Sequence, residues 1–225
     1  MSDAHAALLD RLATAIAGLL PPRVVRVGID GVDGAGKTIL ADALAPLVSG
    51  HGRPTIRASI DDFHHSSTVR HARGRHSPNG HYLDSYDYDS LRKLLLDPLG
   101  PNGSGRYTAR YFDLDNDRLF DPDPRQARPA SALIVDGIFL HRPELRSCWD
   151  LSIFLKVDFD ISMPRGARRG SSFDPADRDS PAYRRYVGGQ KLYFAECAPE
   201  RQTDIVIDYN DLRAPKVLKW NGSAH

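Results

Sequence analysis

The chain has 225 residues, 41% of them hydrophobic and 26% charged, with a formal net charge of +1. With 30 basic residues against 29 acidic ones there is no global field to draw it onto nucleic acid or an anionic membrane, so any anion binding has to be local. The composition excludes wholesale disorder and fibres, and a single α/β domain over residues 1–225 is expected.

No apolar run reaches the roughly 18 residues of a membrane span, and the first residues lack the basic flank of a secretory leader, which sets the expectation of a cytoplasmic protein. Cys148 and Cys197 form no CxxC pair and read as two reduced thiols.

Leu8, Leu9, Leu12, Ile16, Leu19 and Leu20 recur at helical spacing until Pro21-Pro22 forbids continuation. Residues 24–29 (Val-Val-Arg-Val-Gly-Ile) then read as a short buried strand, and a glycine loop from Gly31 to Gly36 follows at once. A helix starts near Lys37, with an apolar stripe of Ile39, Leu40, Ala43, Leu44 and Leu47, and Pro46 and Gly50 mark its end. Residues 55–60 form a second strand that stops at Asp61-Asp62-Phe63-His64. The polar stretch 64–82, with Arg70, Arg73 and Arg75, is expected to be a mobile or substrate-covering insert.

Helical periodicity resumes over 89–96 and ends in the Gly/Pro/Asn/Ser run 98–105, and residues 106–112 fit a strand or hairpin arm. An apolar strand over 132–136 ends on Asp136, and another covers 151–157. A weak helix interrupted by Pro164 is expected over 160–169, then a polar stretch to Ser180. Ser180-Pro181 starts a helix reaching Cys197, residues 203–208 form the last strand, and the tail 221–225 is expected to fray. This alternation implies a mostly parallel central sheet with helices on both faces, a three-layer α/β fold.

Gly31-Val32-Asp33-Gly34-Ala35-Gly36-Lys37-Thr38 matches the phosphate-loop pattern GxxxxGK[ST], placed between a strand and a helix as its mechanism demands. Backbone N–H groups of such a loop face a phosphate chain, and the helix amino terminus adds a favourable dipole. Lys37 would reach the β and γ phosphates of ATP, and the Thr38 hydroxyl would ligate Mg²⁺. The loop alone does not choose among a GTPase, a motor ATPase and a small-molecule kinase. There is no NKxD-like element, however, and Asp136 is followed by Gly137 rather than a second acid; both absences favour a kinase.

Asp61 stands at the strand edge where such sheets bind ligands. It can take a proton from an acceptor hydroxyl, or it can cap a turn. Thr38, Asp136 and Asp61 are the candidate oxygen donors to Mg²⁺, with a strand-end turn as the alternative role of Asp136. Arg165, Arg168 and Arg169 open a candidate lid over 165–180, with Arg165 and Arg169 expected toward the nucleotide and Arg168 toward the acceptor; a solvated basic helix face is the alternative. His64, His65, His71, His76 and His81 crowd one region at spacings that match no zinc pattern, which leaves His64 as the candidate substrate contact.

The sequence resembles the uridine kinase and phosphoribulokinase family of phosphate-loop kinases, most of all its uridine kinase branch, from about Val24 to Asp208. The resemblance rests on GVDGAGKT, Asp61-Asp-Phe63-His64, Tyr82-Leu-Asp84, Tyr111-Phe-Asp, Leu133-Ile-Val-Asp136-Gly137-Ile138, the arginines from Arg165, and Thr203-Asp-Ile-Val-Ile207. It implies Mg·ATP-dependent phosphorylation of the 5′ hydroxyl of uridine or cytidine, and assembly into a homo-oligomer. By resemblance Asp61 falls on the catalytic aspartate, Asp84 on the acid that holds the ribose hydroxyls, and Tyr111 on an aromatic beside the base. Departures stand at Asp136, where the family carries glutamate, at His64, which replaces a customary tyrosine, and at Asp113 and Asn116, which replace an aromatic and the histidine that reads the pyrimidine, so the uracil-reading contacts are altered. These departures keep open a kinase for another small alcohol, such as a modified nucleoside, nicotinamide riboside, pantothenate or a sugar phosphate. A nucleotide-binding regulator without turnover is the other alternative.

Overall fold

The structure, a computed structural model, describes residues 2–19, 23–168, 174 and 176–221. Helix α1 (Asp3–Ala17) leads into β1 (Val25–Gly31), α2 (Lys37–Gly50) and β2 (Thr55–Ser59). An irregular section follows. It holds a 3₁₀ turn over Ile60–Phe63, short helices α3 (Ser67–Arg70), α4 (Pro78–Asp84) and α5 (Tyr88–Leu91), and a π-helical turn over Arg92–Leu96. Four two-residue strands come next: β3 (Arg106–Tyr107), β4 (Phe112–Asp113), β5 (Arg118–Leu119) and β6 (Arg125–Gln126). Regular order returns with β7 (Ala132–Asp136), β8 (Leu151–Lys156), α6 (Phe159–Ala167), α7 (Pro181–Cys197), α8 (Pro199–Gln202), β9 (Ile205–Asp208) and β10 (Lys216–Trp220).

Six strands form one sheet in the order β10-β9-β8-β1-β7-β2, parallel throughout except for the β9–β10 pair. The strand carrying the glycine loop is therefore flanked on both sides and buried along its whole length. In register, Ile29 and Ser59 both stand opposite Asp136, so β7 and β2 end level with one another and β1 runs two residues further into the glycine loop. This level edge positions the site.

Period-two alternation splits the core into two layers. Ala132 and Ile134 of β7 face the cluster that holds Leu9, Leu12 and Ile16 of α1 and Leu40 and Leu44 of α2. Leu133 and Val135 face the opposite cluster, with Phe63, Leu91, Leu95 and Tyr193. A mostly parallel sheet between two helical layers is what the sequence pattern predicts.

Three local expectations change. Residues 64–82 are folded into α3 and α4 rather than forming a bare loop, because partners distant in sequence hold them: the Ser67 N–H and hydroxyl donate to Asp117 at 2.7 and 2.6 Å. Pro46 lies inside α2 rather than ending it. Strand β10 was not expected. It adds an antiparallel edge bearing Lys216 and Lys219, the charged dress of an edge strand. Residues 222–225 of the tail lie outside the described residues.

Candidate active site

β1 delivers the chain directly into the phosphate loop. Gly34 and Gly36 take left-handed backbone with φ of +74° and +97°, which favours glycine. At Gly34 there is a second reason: a Cβ there would lie 2.0 Å from the carbonyl oxygen of Ser162 on α6. The next helix, α2, begins at Lys37 with Gly36 as its N-cap and no side-chain capping bond, so its first-turn amides are left for a ligand. Lys37 is buried, and its Nζ donates to the Val32 carbonyl at 2.8 Å across the loop. Gln190 of α7 clamps the loop from outside. Its Oε1 accepts from the Asp33 N–H at 2.8 Å, and its Nε2 donates to Asp33 Oδ2 at 3.2 Å.

Asp136, the last residue of β7, is 2% exposed, and both of its carboxylate oxygens are engaged. Thr38 Oγ1 donates to Oδ2 at 2.6 Å, and Arg57 donates to Oδ1 at 2.8 Å while also pairing with Asp42. This Thr–Asp pair is the set of hard oxygen donors that suits Mg²⁺.

Asp61 lies on the 3₁₀ turn that ends β2, where Ser59 Oγ accepts from its N–H at 3.3 Å. Asp61 Oδ1 accepts from the Tyr86 hydroxyl at 2.9 Å, and burial holds that phenol well above its ordinary pKa, so it stays a donor. The neighbouring Asp62 turns away to Arg110 at 3.2 Å, and burial pushes its carboxyl pKa up. The two adjacent acids are thus separated in environment. Asp61 shares a cavity of about 480 Å³ with Asp33, Lys37, Thr38, Asp136 and Tyr186.

The remaining expected site residues are placed less directly. His64 bonds the Asp61 carbonyl through Nδ1 at 2.8 Å and packs its ring 4.5 Å from that of Tyr86; burial lowers its pKa. Tyr111 stacks on Phe63 at 6.1 Å, and its N–H donates to the Asp62 carbonyl. Asp84 closes α4 in an ion pair with Arg73 at 2.9 Å. None of these three side chains lines the cavity. Arg165 also turns elsewhere, donating to the Tyr209 carbonyl at 3.1 Å and to that of Asn210, in the loop after β9. Arg168 caps the end of α6 in solvent, whereas Arg169 lies outside the described residues.

Sequence reasoning missed a buried network behind the loop. Asp30, fully buried, accepts from the Gly31 N–H at 2.7 Å, lies 2.7 Å from His141 Nδ1, and accepts from the Tyr193 hydroxyl. His141 Nε2 reaches Thr203 Oγ1 at 3.1 Å. The network ties the entry of the phosphate loop to α7 and to the start of β9. Its one sequence signal was an acid at the end of an apolar strand, Val-Arg-Val-Gly-Ile-Asp30. Gln190, Tyr86 and Arg57 left no signal of their own.

No family model matches the chain. It is 26% identical over 208 residues to a uridine kinase of Lactobacillus helveticus, a match covering 86% of this chain and 95% of that protein. In fold it is similar to a possible uridine kinase from Bacillus stearothermophilus, with a TM-score of 0.68 at 20% identity over 88% of this chain and 96% of that one. It is also similar to phosphoribulokinase from Rhodobacter sphaeroides, with a TM-score of 0.50 at 15% identity over 90% of this chain and 76% of that one. The chain is thus similar in both sequence and fold to uridine kinases, and in fold alone to a phosphoribulokinase.

Proposed function

We propose that the chain is an Mg·ATP-dependent phosphotransferase that phosphorylates a hydroxyl of a small, nucleoside-like acceptor. Uridine and cytidine are the first acceptors to test, given the uridine kinases among its relatives. The observation that carries this reading is one cavity lined by Lys37, Thr38 and Asp136 on one side and by Asp61 on the other. A nucleotide-binding regulator has no use for that carboxylate.

The residues present fit the nucleotide and its metal. Gly34 and Gly36 curl the loop, the first amides of α2 are free of side-chain caps, and the Thr38 and Asp136 oxygens form a hard donor pair. When bound, Mg·ATP supplies the phosphoryl group and much of the charge neutralisation. Lys37 balances negative charge at the loop, and Gln190 holds Asp33 so that the loop keeps its curl. Asp61 orients the acceptor hydroxyl and takes its proton, and Tyr86 fixes which carboxylate oxygen faces that hydroxyl. Arg165 and Arg168, with Arg169, serve the closing of the lid, and Asp84, His64 and Tyr111 shape the acceptor wall from behind.

The test is phosphate transfer from Mg·ATP to a panel of hydroxyl acceptors followed by mass spectrometry. A phosphorylated acceptor supports the reading. Saturable nucleotide binding with no transfer to any acceptor would favour the regulator instead.

A further inference from the structure

Arg185 of α7, the residue before the cavity-lining Tyr186, carries a buried charge that no carboxylate among the described residues answers. It is only 9% exposed, and its Nε is buried with no hydrogen-bond partner. Its Nη1 donates to a neutral group, the Arg75 carbonyl, at 2.6 Å. Among the described residues no carboxylate pairs with it. Burial lowers its pKa, and the like charges of Arg70 and Arg75 lower it further against an opposing contribution from Tyr186. Burial, and after it the same three arginines, lower the pKa of His71, with Asp117 opposing them. Burying a guanidinium among like charges is costly unless an anion completes the set.

The location gives that anion a role. Arg185 precedes Tyr186, whose ring lines the central cavity, and its guanidinium carbon lies 5.7 Å from that ring. The Tyr186 ring in turn packs 4.9 Å from His81, whose Nε2 is a second buried atom without a hydrogen-bond partner. One turn further along α7, Gln190 holds the phosphate loop. Tyr186 and Gln190 thus share the face of α7 that meets the cavity, and Arg185, about 100° further round the helix from Tyr186, reaches behind that ring to the 64–82 segment.

We propose that Arg185, with Arg70 and Arg75, forms an oxyanion subsite at the acceptor end of the cavity, so that the acceptor alcohol itself carries a phosphate or carboxylate group. The proposal rests on the kinase reading above and narrows its substrate class. Arg70 is already fixed by donating to the His65 carbonyl at 2.8 Å and pairs with Asp117 at 3.4 Å, whereas Arg75 is exposed and free of ion pairs among the described residues, so Arg185 and Arg75 are the two unanswered charges. A planar guanidinium suits a two-oxygen anion, and a neutral nucleoside would leave Arg185 unanswered.

The experiment has two arms. Inorganic phosphate is titrated calorimetrically into the protein saturated with Mg·ADP, for the native chain, Arg185→Gln, Arg185→Lys and the exposed-site variant Arg75→Gln. The expected result is phosphate binding that weakens about tenfold or more in Arg185→Gln, is partly restored in Arg185→Lys and falls by less in Arg75→Gln. In the second arm, kcat and KM are measured for matched acceptors: ribose and ribose 5-phosphate, glycerol and glycerate, uridine and uridine 3′-phosphate. The oxyanion-bearing member should win in at least one pair by about tenfold or more, and Arg185→Gln should erase that preference through KM rather than kcat.

Equal use of both members of every pair that reacts would overturn the proposal. So would an Arg185→Gln variant that melts early and loses all acceptors alike while Arg75→Gln leaves phosphate binding unchanged, since that is a purely structural arginine. If no acceptor reacts, the phosphate arm decides alone: Arg185-dependent binding supports the subsite, and absent binding overturns it. Failure of Mg·ADP to bind would instead sink the kinase reading, so the two failures are distinguishable.

Discussion

Beneath the phosphate loop the chain is held by backbone ladders: β1 pairs residue for residue with β7 on one side and β8 on the other, and its side chains are buried throughout. Across the cavity, residues 60–126 keep their shape largely through side chains. Asp117 accepts from Ser67 and Arg70, Arg73 pairs with Asp84, Asp87 caps α5 at Ser90, and Asp113 accepts from Asn116. The nucleotide side is thus fixed by strand register, a property shared by any chain that adopts this sheet. The acceptor side is fixed by individual polar pairs, so its chemistry can change without disturbing the fold.

Several measurements would break or sharpen that contrast. Lys37→Ala should lower kcat by about 10² to 10³, because one preorganised cation over the transferring phosphate is lost from a buried position. Near-native turnover would show that the loop does not hold phosphate. Gly34→Ala comes next. Left-handed backbone alone costs a non-glycine residue about 1–3 kcal/mol, and the clash with the Ser162 carbonyl adds to it. Thermal unfolding should drop by several degrees and nucleotide affinity should fall with it; an unchanged melting temperature would mean that α6 moves away freely.

A third effect is pH-dependent and belongs to the acceptor side. Burial lowers the pKa of His81 from 6.5 to about 3. The folded state therefore keeps this ring neutral while the unfolded chain takes up a proton below 6.5. Its contribution is complete above pH 6.5 and is lost as pH falls from 6.5 toward 3, at up to about 1.4 kcal/mol per pH unit. Urea titrations at pH 7.5 and 5 should show a drop in native stability that is smaller in His81→Asn, and an equal drop in the variant would remove His81 as the cause. The smallest effect is Arg73→Ala, where a half-exposed ion pair with Asp84 should cost less than about 1 kcal/mol and leave nucleotide affinity untouched. A large loss of nucleotide binding there would erase the division between the two sides.

The same division decided what could be read from the sequence. β1, α2 and β7 announced themselves because a β-branched run, an apolar helical stripe and GVDGAGKT are local signals, and the level strand ends then brought Lys37, Thr38, Asp61 and Asp136 to one cavity. The 64–82 segment read as a loop because α3 and α4 are too short to show periodicity, and the acid that holds α3, Asp117, lies 50 residues from Ser67. For β10, Lys216-Val-Leu-Lys-Trp220 is too brief and too charged at an edge to stand out. The backbone acceptors of Arg165, the carbonyls of Tyr209 and Asn210, were not legible because they come from a loop no spacing rule connects to it. Arg185 carried no sequence signal; only its burial among like charges marks it.

The central claim is that Asp61 takes a proton during phosphate transfer. Its most direct test is the rate of Mg·ATP-dependent phosphorylation by Asp61→Asn, measured on whichever acceptor the panel identifies, beside the nucleotide Kd of the same variant. The expected result is a fall in kcat of about 10² to 10⁴ with Kd unchanged, since asparagine keeps the shape but not the base. Transfer at the native rate by Asp61→Asn would contradict the account.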